Sequence, residues 1–252
     1  MSDESEKVFT LSLTLPPSSL RILLWDIDGT LVRSARLGAF KEYTAPVLEE
    51  IFGTAGRLAE MSVSGMTDLQ IAIEALACAG FTADQVIERA REIQELYMRE
   101  MLRVTTGEKL FLELPGSRQT LEATDASTRY MNALLTGNIE PAARLKIRMV
   151  GLEHFFKLPG AFGEDSHDRR DLPALAARRI NRHLGLELQP SQFIVIGDTP
   201  NDIRCAKHFG ARCVAVATGR HYTADELILH EPDALLPDLT DLDLVMRTFD
   251  AL

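Results

Sequence analysis

A run of apolar residues that ends abruptly in two acids constrains this chain more than any other feature. Leu23-Leu24-Trp25-Asp26-Ile27-Asp28-Gly29-Thr30-Leu31-Val32 reads as a short buried strand closed by Asp26 and Asp28, with a turn away at Gly29. Carboxylates at the end of a buried strand destabilise it unless a cation or hydrogen bonds neutralise them. Alternation along a strand would point Asp26 and Asp28 to the same side, and the turn leaves both near the strand's carboxyl end. In open parallel α/β sheets that end is where ligands bind. The plainer reading, two solvated acids in a loop, leaves the apolar run before them unexplained, so the pair marks a candidate active site.

The rest of the chain alternates element types in the same sense. Residues 1–19 form a leader in which Thr10-Leu11-Ser12-Leu13-Thr14-Leu15 alternates strictly before Pro16-Pro17. That pattern reads as an extra edge strand or docked arm, with a mobile leader as the alternative. A strand is expected over 21–26, then helices until about residue 113: one over 38–52, one opened by the capping-box pattern Thr67-Asp68-Leu69-Gln70 and stopped at Gly80, and one long amphipathic helix over 83–104. Leu114-Pro115-Gly116 looks like a return. Beyond it helices over 117–126, 141–149, 173–185, 201–209 and 223–230 alternate with strands over 129–136, 160–163, 192–197, 212–217 and 234–236. Such an order predicts an α/β fold, a parallel sheet with helices on both faces and right-handed crossovers.

Composition narrows the partners. A 252-residue chain that is 46% hydrophobic can bury one domain's core plus a large insert. Its net charge of −10 argues against nucleic acid and against an anionic membrane surface, because either would be repelled. Cys78, Cys205 and Cys213 lie in apolar or helical contexts without metal-ligand spacing and read as reduced core thiols, which suits a cytoplasmic protein. No apolar run reaches the length of a membrane span. The acidic start Met1-Ser2-Asp3-Glu4-Ser5-Glu6 is wrong for a secretory signal.

The stretch Asp26-Ile27-Asp28-Gly29-Thr30-Leu31-Val32 resembles the first motif of the haloacid dehalogenase (HAD) superfamily, mostly magnesium-dependent phosphatases. Leu134-Leu135-Thr136-Gly137-Asn138 is similar to its second motif, and Phe193-Ile194-Val195-Ile196-Gly197-Asp198-Thr199-Pro200-Asn201-Asp202 to its fourth. The resemblance covers roughly residues 20–245. It implies a Rossmann-like core made of residues 20–36 and 114–252, with residues 37–113 as an inserted all-helical cap domain. It also implies a Mg2+ ion held by Asp26, the Asp28 carbonyl and Asp198, with Asp202 outside these or acting through water. A hard cation of this kind favours oxygen ligands. Asp26 would be the nucleophile that forms an aspartyl-phosphate. Asp28 would protonate the leaving alkoxide and later deprotonate water. Relatives that cleave carbon–halogen bonds typically lack this second acid, so its presence points to phosphoryl transfer. Thr136 would hydrogen-bond a phosphoryl oxygen, and the amides of Gly137 and Asn138, entering a helix, favour an anion; the alternative is a turn that only opens that helix.

The chain departs from the family at the third motif, where a lysine is expected. Gly163-Glu164-Asp165-Ser166-His167-Asp168-Arg169-Arg170 offers two arginines instead. Arg169 is the expected substitute, ahead of Arg170, because a guanidinium can bridge a carboxylate and a phosphoryl oxygen as a fixed fork; both could instead be surface charges. Ser64-Gly65-Met66-Thr67-Asp68 resembles the cap loop of phosphoglycolate-phosphatase-like members, so Thr67 is either a substrate contact or only a helix cap. Arg33 and Arg36 could bind a second anionic group or be solvated linker charges. Lys41 and Lys109 show no context for Schiff-base chemistry, which counts against a phosphonate hydrolase. The reading that follows is a phosphatase of a small phosphorylated metabolite, monomeric or homodimeric. A phosphomutase of the β-phosphoglucomutase type and a non-catalytic binding module are the alternatives.

Overall fold

The computed structural model describes residues 19–252. Strand β1 (Arg21–Trp25) lies in a five-stranded sheet with β4 (Tyr130–Leu134), β5 (Phe193–Gly197), β6 (Arg212–Val216) and β7 (Ala234–Leu236). The order is β4-β1-β5-β6-β7, and every neighbouring pair is parallel. Such a sheet has to be covered on both faces, and the period-two alternation of its strands divides the core accordingly. Leu23, Trp25, Ile194, Ile196, Val214 and Val216 join one cluster. Their chain neighbours Ile22, Leu24, Phe193, Val195, Cys213 and Ala215 join the other. The expected α/β fold with a parallel sheet is present.

Between β1 and β4 the chain makes a short antiparallel ribbon of β2 (Val32–Ser34) and β3 (Phe111–Glu113), whose register pairs Arg33 with Leu112. The periodicity did not announce this ribbon. It forms the neck of the helical segment, which comprises α1 (Ala39–Phe52), α2 (Asp68–Ala77), α3 (Ala83–Ile87) and α4 (Ala90–Thr105). The single helix expected over 83–104 is therefore two: fully buried Val86 anchors α3, and Arg89 leaves helical geometry to lay its guanidinium over the Phe52 ring. Thr67 caps α2 by accepting from the Gln70 amide at 3.1 Å, but the Gln70 side chain turns to Glu74, so only half of the predicted box forms.

The remaining helices are α5 (Ser117–Ala126), α6 (Glu140–Met149), α7 (Leu172–Leu184), α8 (Pro200–Phe209), α9 (Ala224–Ile228) and α10 (Leu242–Asp250). Two further expectations need correction. Residues 160–163 make one isolated bridge, Leu135 with Ala161, rather than a strand, because Gly160 and Gly163 press against the backbone of Leu134 and Gly137. Cys78 is exposed, whereas Cys205 and Cys213 are buried as expected. The alternating segment at residues 10–15 lies outside the described residues.

Helix α10, not foreseen in the sequence, seals one sheet face. Phe249 packs edge-on against Trp25 with ring centroids 5.9 Å apart, and the Trp25 indole donates to Asn132 Oδ1 at 2.8 Å. Both rings are fully buried. Removing Phe249 therefore opens a cavity beside the chain's sole tryptophan. Phe249→Ala is expected to lose about 3–5 kcal/mol, read from urea unfolding followed by Trp25 fluorescence. A loss below about 1 kcal/mol would mean that α10 is a loosely attached appendage.

Candidate active site

Three adjacent strands end at one edge of the sheet, and each delivers a polar group there. Trp25 is in register with Leu134 on one side and Ile196 on the other. The chain therefore carries Asp26, Thr136 and Asp198 past the last strand residues to a common place. The Asp26 amide still bonds the Ile196 carbonyl at 2.9 Å, which fixes where its carboxylate emerges. Above this edge lies a cavity of about 410 Å³ whose walls include Asp26, Asp28, Thr136, Asn138, Arg169 and Asp198. The helical segment supplies the opposite wall, with Tyr43, Met66, Asp68 and Tyr97.

At the floor Asp26 and Asp198 form an acidic cluster with Asp202, which lies beneath the lining. Asp26, Asp198 and Asp202 are 5%, 2% and 0% exposed, and one carboxylate oxygen from each lies within 4.8 Å of the other two. Arg169, itself buried, donates to Asp26 Oδ1 at 2.8 Å and also to Asp202 Oδ1. The other Asp202 oxygen accepts from the Thr199 amide at 3.0 Å and hydroxyl at 2.7 Å, closing the capping box of α8. Among the described residues the one side-chain donor to Asp198 is the Thr30 hydroxyl, at a long 3.4 Å. A Cβ on Gly29, whose φ is +91°, would stand 2.3 Å from Asp198 Oδ2, and one on Gly219 would stand 1.9 Å away. Burial pushes the Asp26 carboxyl up to about 7, against the pull of Arg169 and with the like charge of Asp202 adding to the rise. Burial, then the charges of Asp26 and Asp202, raises Asp198 well above the usual carboxylate range.

The comparisons with known proteins agree with this geometry. A family model described as HAD-hydrolase-like matches residues 171–242. A phosphoglycolate phosphatase of Pectobacterium atrosepticum is 26% identical over 227 residues, spanning 89% of this chain and 92% of that protein. Among solved structures, a predicted phosphoglycolate phosphatase from Haemophilus somnus superposes with a TM-score of 0.61 at 20% identity, covering 92% of this chain and all of the other. A β-phosphoglucomutase from Clostridium difficile gives a TM-score of 0.65 at 13% identity, covering 92% and 98%. The chain is thus similar to HAD-like hydrolases, by the family model over residues 171–242 and by the curated relative over 89% of its length.

In this HAD-like chain the acid set suits a hard divalent cation. Three buried carboxylates face one guanidinium, and when all are ionised two negative charges remain uncompensated in a poorly solvated corner. Asp198, with its nearly unpartnered carboxylate held between two glycines, has the donor capacity that Asp202 has already committed to Thr199 and Arg169.

Several expected site residues converge here and others do not. Thr136 is buried, and its hydroxyl accepts from the Asn138 side-chain amide at 2.8 Å. Gly137 supplies a close approach: a Cβ there would lie 2.1 Å from the Met66 carbonyl, and its own carbonyl accepts from the Asp68 amide at 2.7 Å. Arg169 is in the cluster, whereas Arg170 is exposed and paired with Asp168. Thr67, expected as a possible substrate contact, is corrected to a structural role. It is fully buried, its hydroxyl is engaged by Gln70 and the His167 carbonyl, and it does not line the cavity. Arg33 does line the cavity and is exposed. Arg36 also lines it but is tied to Glu42 and Glu108.

The sequence reading missed Lys146 and Asp68. Lys146 is 3% exposed and lies 2.6 Å from Asp28 Oδ2. Its signal was a lysine on the same helix face as Ala142, Ala143 and Ile147, where a solvated charge does not belong. Asp68 begins α2 and accepts from the Ile139 amide at 2.9 Å across to the sheet edge, and burial pushes it up to about 6.

These shifts fix the sign of a metal response. A carboxyl raised from about 4 to about 7 in the fold lends stability below pH 4 that is lost as the pH rises through 7. A cation that binds the ionised cluster restores it. At a hundredfold excess over its dissociation constant, Mg2+ should therefore add about 2.7 kcal/mol near pH 8, which for a chain of this size is roughly 5–10 °C in Tm. By pH 5 the gain should shrink towards nothing. Differential scanning fluorimetry at the two pH values decides it; equal shifts would place the ion at some other site.

Proposed function

We propose that this chain is a magnesium-dependent phosphatase of small phosphate monoesters, phosphoglycolate-like in size, working through an aspartyl-phosphate on Asp26. The observation that carries the reading is the pairing of a buried, arginine-bound carboxylate at the end of β1 with a second carboxylate, Asp28, two residues on and 41% exposed at its side chain. One acid is positioned to attack and the other to exchange protons with a substrate or with water.

Asp26, Asp198 and the Asp28 carbonyl, with Asp202 beside them, would hold Mg2+. The ion would screen the phosphate dianion from the carboxylates and orient the phosphoryl group. Arg169 holds Asp26 by its Oδ1, which leaves Oδ2 for the attack on phosphorus. As that bond forms, the bond from phosphorus to the ester oxygen breaks and Asp28 gives the leaving oxygen its proton. A water then attacks the same phosphorus, its proton returns to Asp28, and Asp26 and inorganic phosphate are released. The Thr136 hydroxyl and the amides of Gly137 and Asn138, at the entrance to α6, suit the phosphoryl oxygens. Arg33 on the cavity wall suits a second anionic group on the substrate. The helical segment over 37–113 acts in this reading as a cap that encloses the substrate. The low identity to phosphoglycolate phosphatases supports the substrate class without selecting one ester.

Phosphate release from a panel of small esters, phosphoglycolate and hexose phosphates included, is the test. Release should require Mg2+ and stop with chelator. Asp26→Asn should reduce kcat by about 10³-fold or more, and Asp28→Asn by about 10²–10⁴-fold. Full activity in Asp26→Asn would reject the covalent route. Turnover of a sugar phosphate to its isomer without phosphate release would select a mutase instead.

A further inference from the structure

Lys146 is the one strongly buried cation near the site, among the described residues, that the reaction as written does not use. It stands in the second half of α6, and because helical side chains lean towards the N-terminus its ammonium reaches back to the loop that opens the helix. There it donates to Asp28 Oδ2 and to Asn138 Oδ1, both at 2.6 Å. The Asn138 amide donates to the same Asp28 oxygen at 2.7 Å and to the Thr136 hydroxyl at 2.8 Å. Behind the ammonium lie the Phe111 ring, whose centroid is 5.5 Å away, and buried Tyr43 on the cavity wall. Burial alone would push this lysine down; the Asp28 carboxylate and, beyond it, Tyr43 and Asp68 hold it above its ordinary value.

A buried ion pair is a poor way to gain stability, since an apolar residue of similar volume often serves as well or better. Its geometry says what else it does. Two donors saturate Asp28 Oδ2, so this oxygen is closed to further exchange and the carboxylate plane is fixed. The other oxygen, Oδ1, has no side-chain donor on it among the described residues, and 41% of the Asp28 side chain is exposed.

We propose that Lys146, with Asn138, is a positioning residue for Asp28: it anchors Oδ2 so that Oδ1 alone exchanges the proton with the leaving oxygen and then with water. This rests on the phosphatase reading above. Oδ1 carries the proton in the first half-reaction and receives one in the second, while Oδ2 keeps both donors throughout. Lys146 touches neither substrate nor metal in this scheme. The same network links Asp28 to Thr136, so the acid and the phosphoryl-binding hydroxyl are held as one unit.

The test uses leaving groups that differ in their need for an acid. Wild type, Lys146→Met, Asp28→Asn and the double variant are assayed with Mg2+ on an alkyl phosphate and on 4-nitrophenyl phosphate, whose anion departs without help. Lys146→Met should lower kcat on the alkyl ester about 10²-fold, with KM changed by less than about threefold and with the loss on the aryl ester smaller by about tenfold or more. In the Asp28→Asn background the same substitution should cost less than about threefold. Equal losses on the two esters, or additive losses in the double variant, would overturn the inference while leaving the phosphatase reading intact. A wild-type protein inactive on both esters with Mg2+ bound would overturn that reading and the inference with it. Should Lys146→Met fail to fold by near-ultraviolet circular dichroism, Lys146→Gln, which keeps a donor without the charge, is read by the same criteria.

Discussion

One guanidinium makes the site possible. Asp26, Asp198 and Asp202 are buried within reach of one another, and like charges in a poorly solvated place repel strongly. Arg169 joins two of them, one on the loop after β1 and one in the first turn of α8. Both bonds leave one nitrogen of the guanidinium, Nη2, so a single donor group holds the two carboxylates together. The compensation stays incomplete, and that is chemically useful. The excess negative charge is a standing demand for a divalent cation, so metal binding and folding of this corner are the same free-energy problem.

Close backbone approaches complete the arrangement. Gly29 and Gly219 leave room for the Asp198 carboxylate, where any side chain would collide with it. Gly137 and Gly163 let the segment 66–68 lie directly on the loops after β4 and before α7. The same segment is tied down by the Asp68 amide on Gly137, by Thr67 on the His167 carbonyl, and by Asn201 on the Gly65 carbonyl at 2.8 Å. Residues 65–68 thus touch three loops of the sheet edge at once. Whatever enters the cavity passes a wall whose position depends on these few contacts, which is why Thr67 matters to the site although it lines none of it.

Much of this could be read from the chain because it is local. β1, β4, β5 and β6 are short apolar runs with turn signals at their ends, and the acids follow them directly. The parallel order follows from helices alternating with strands. Arg169 could be singled out, ahead of Arg170, because it was one of two cations where the family keeps a lysine, and the fold buries the first and exposes the second. The break between α3 and α4 was hidden because Glu88 and Arg89 are ordinary helix residues; packing on Phe52 turned the chain there. The ribbon of β2 and β3 was hidden because three residues carry no period, and it exists only because residues 32–34 and 111–113 meet across the whole helical segment.

The sequence by itself determined the class of fold, the strands that end in acids, and the demand of those acids for a cation, because each follows from residue types in immediate succession. Tertiary structure alone decided which charges face one another. Lys146 lies 118 positions from Asp28, and Arg169 lies 143 from Asp26; no local pattern relates them. They meet because a parallel sheet brings successive strand ends to one edge, where burial removes the water that would otherwise have kept each charge separate.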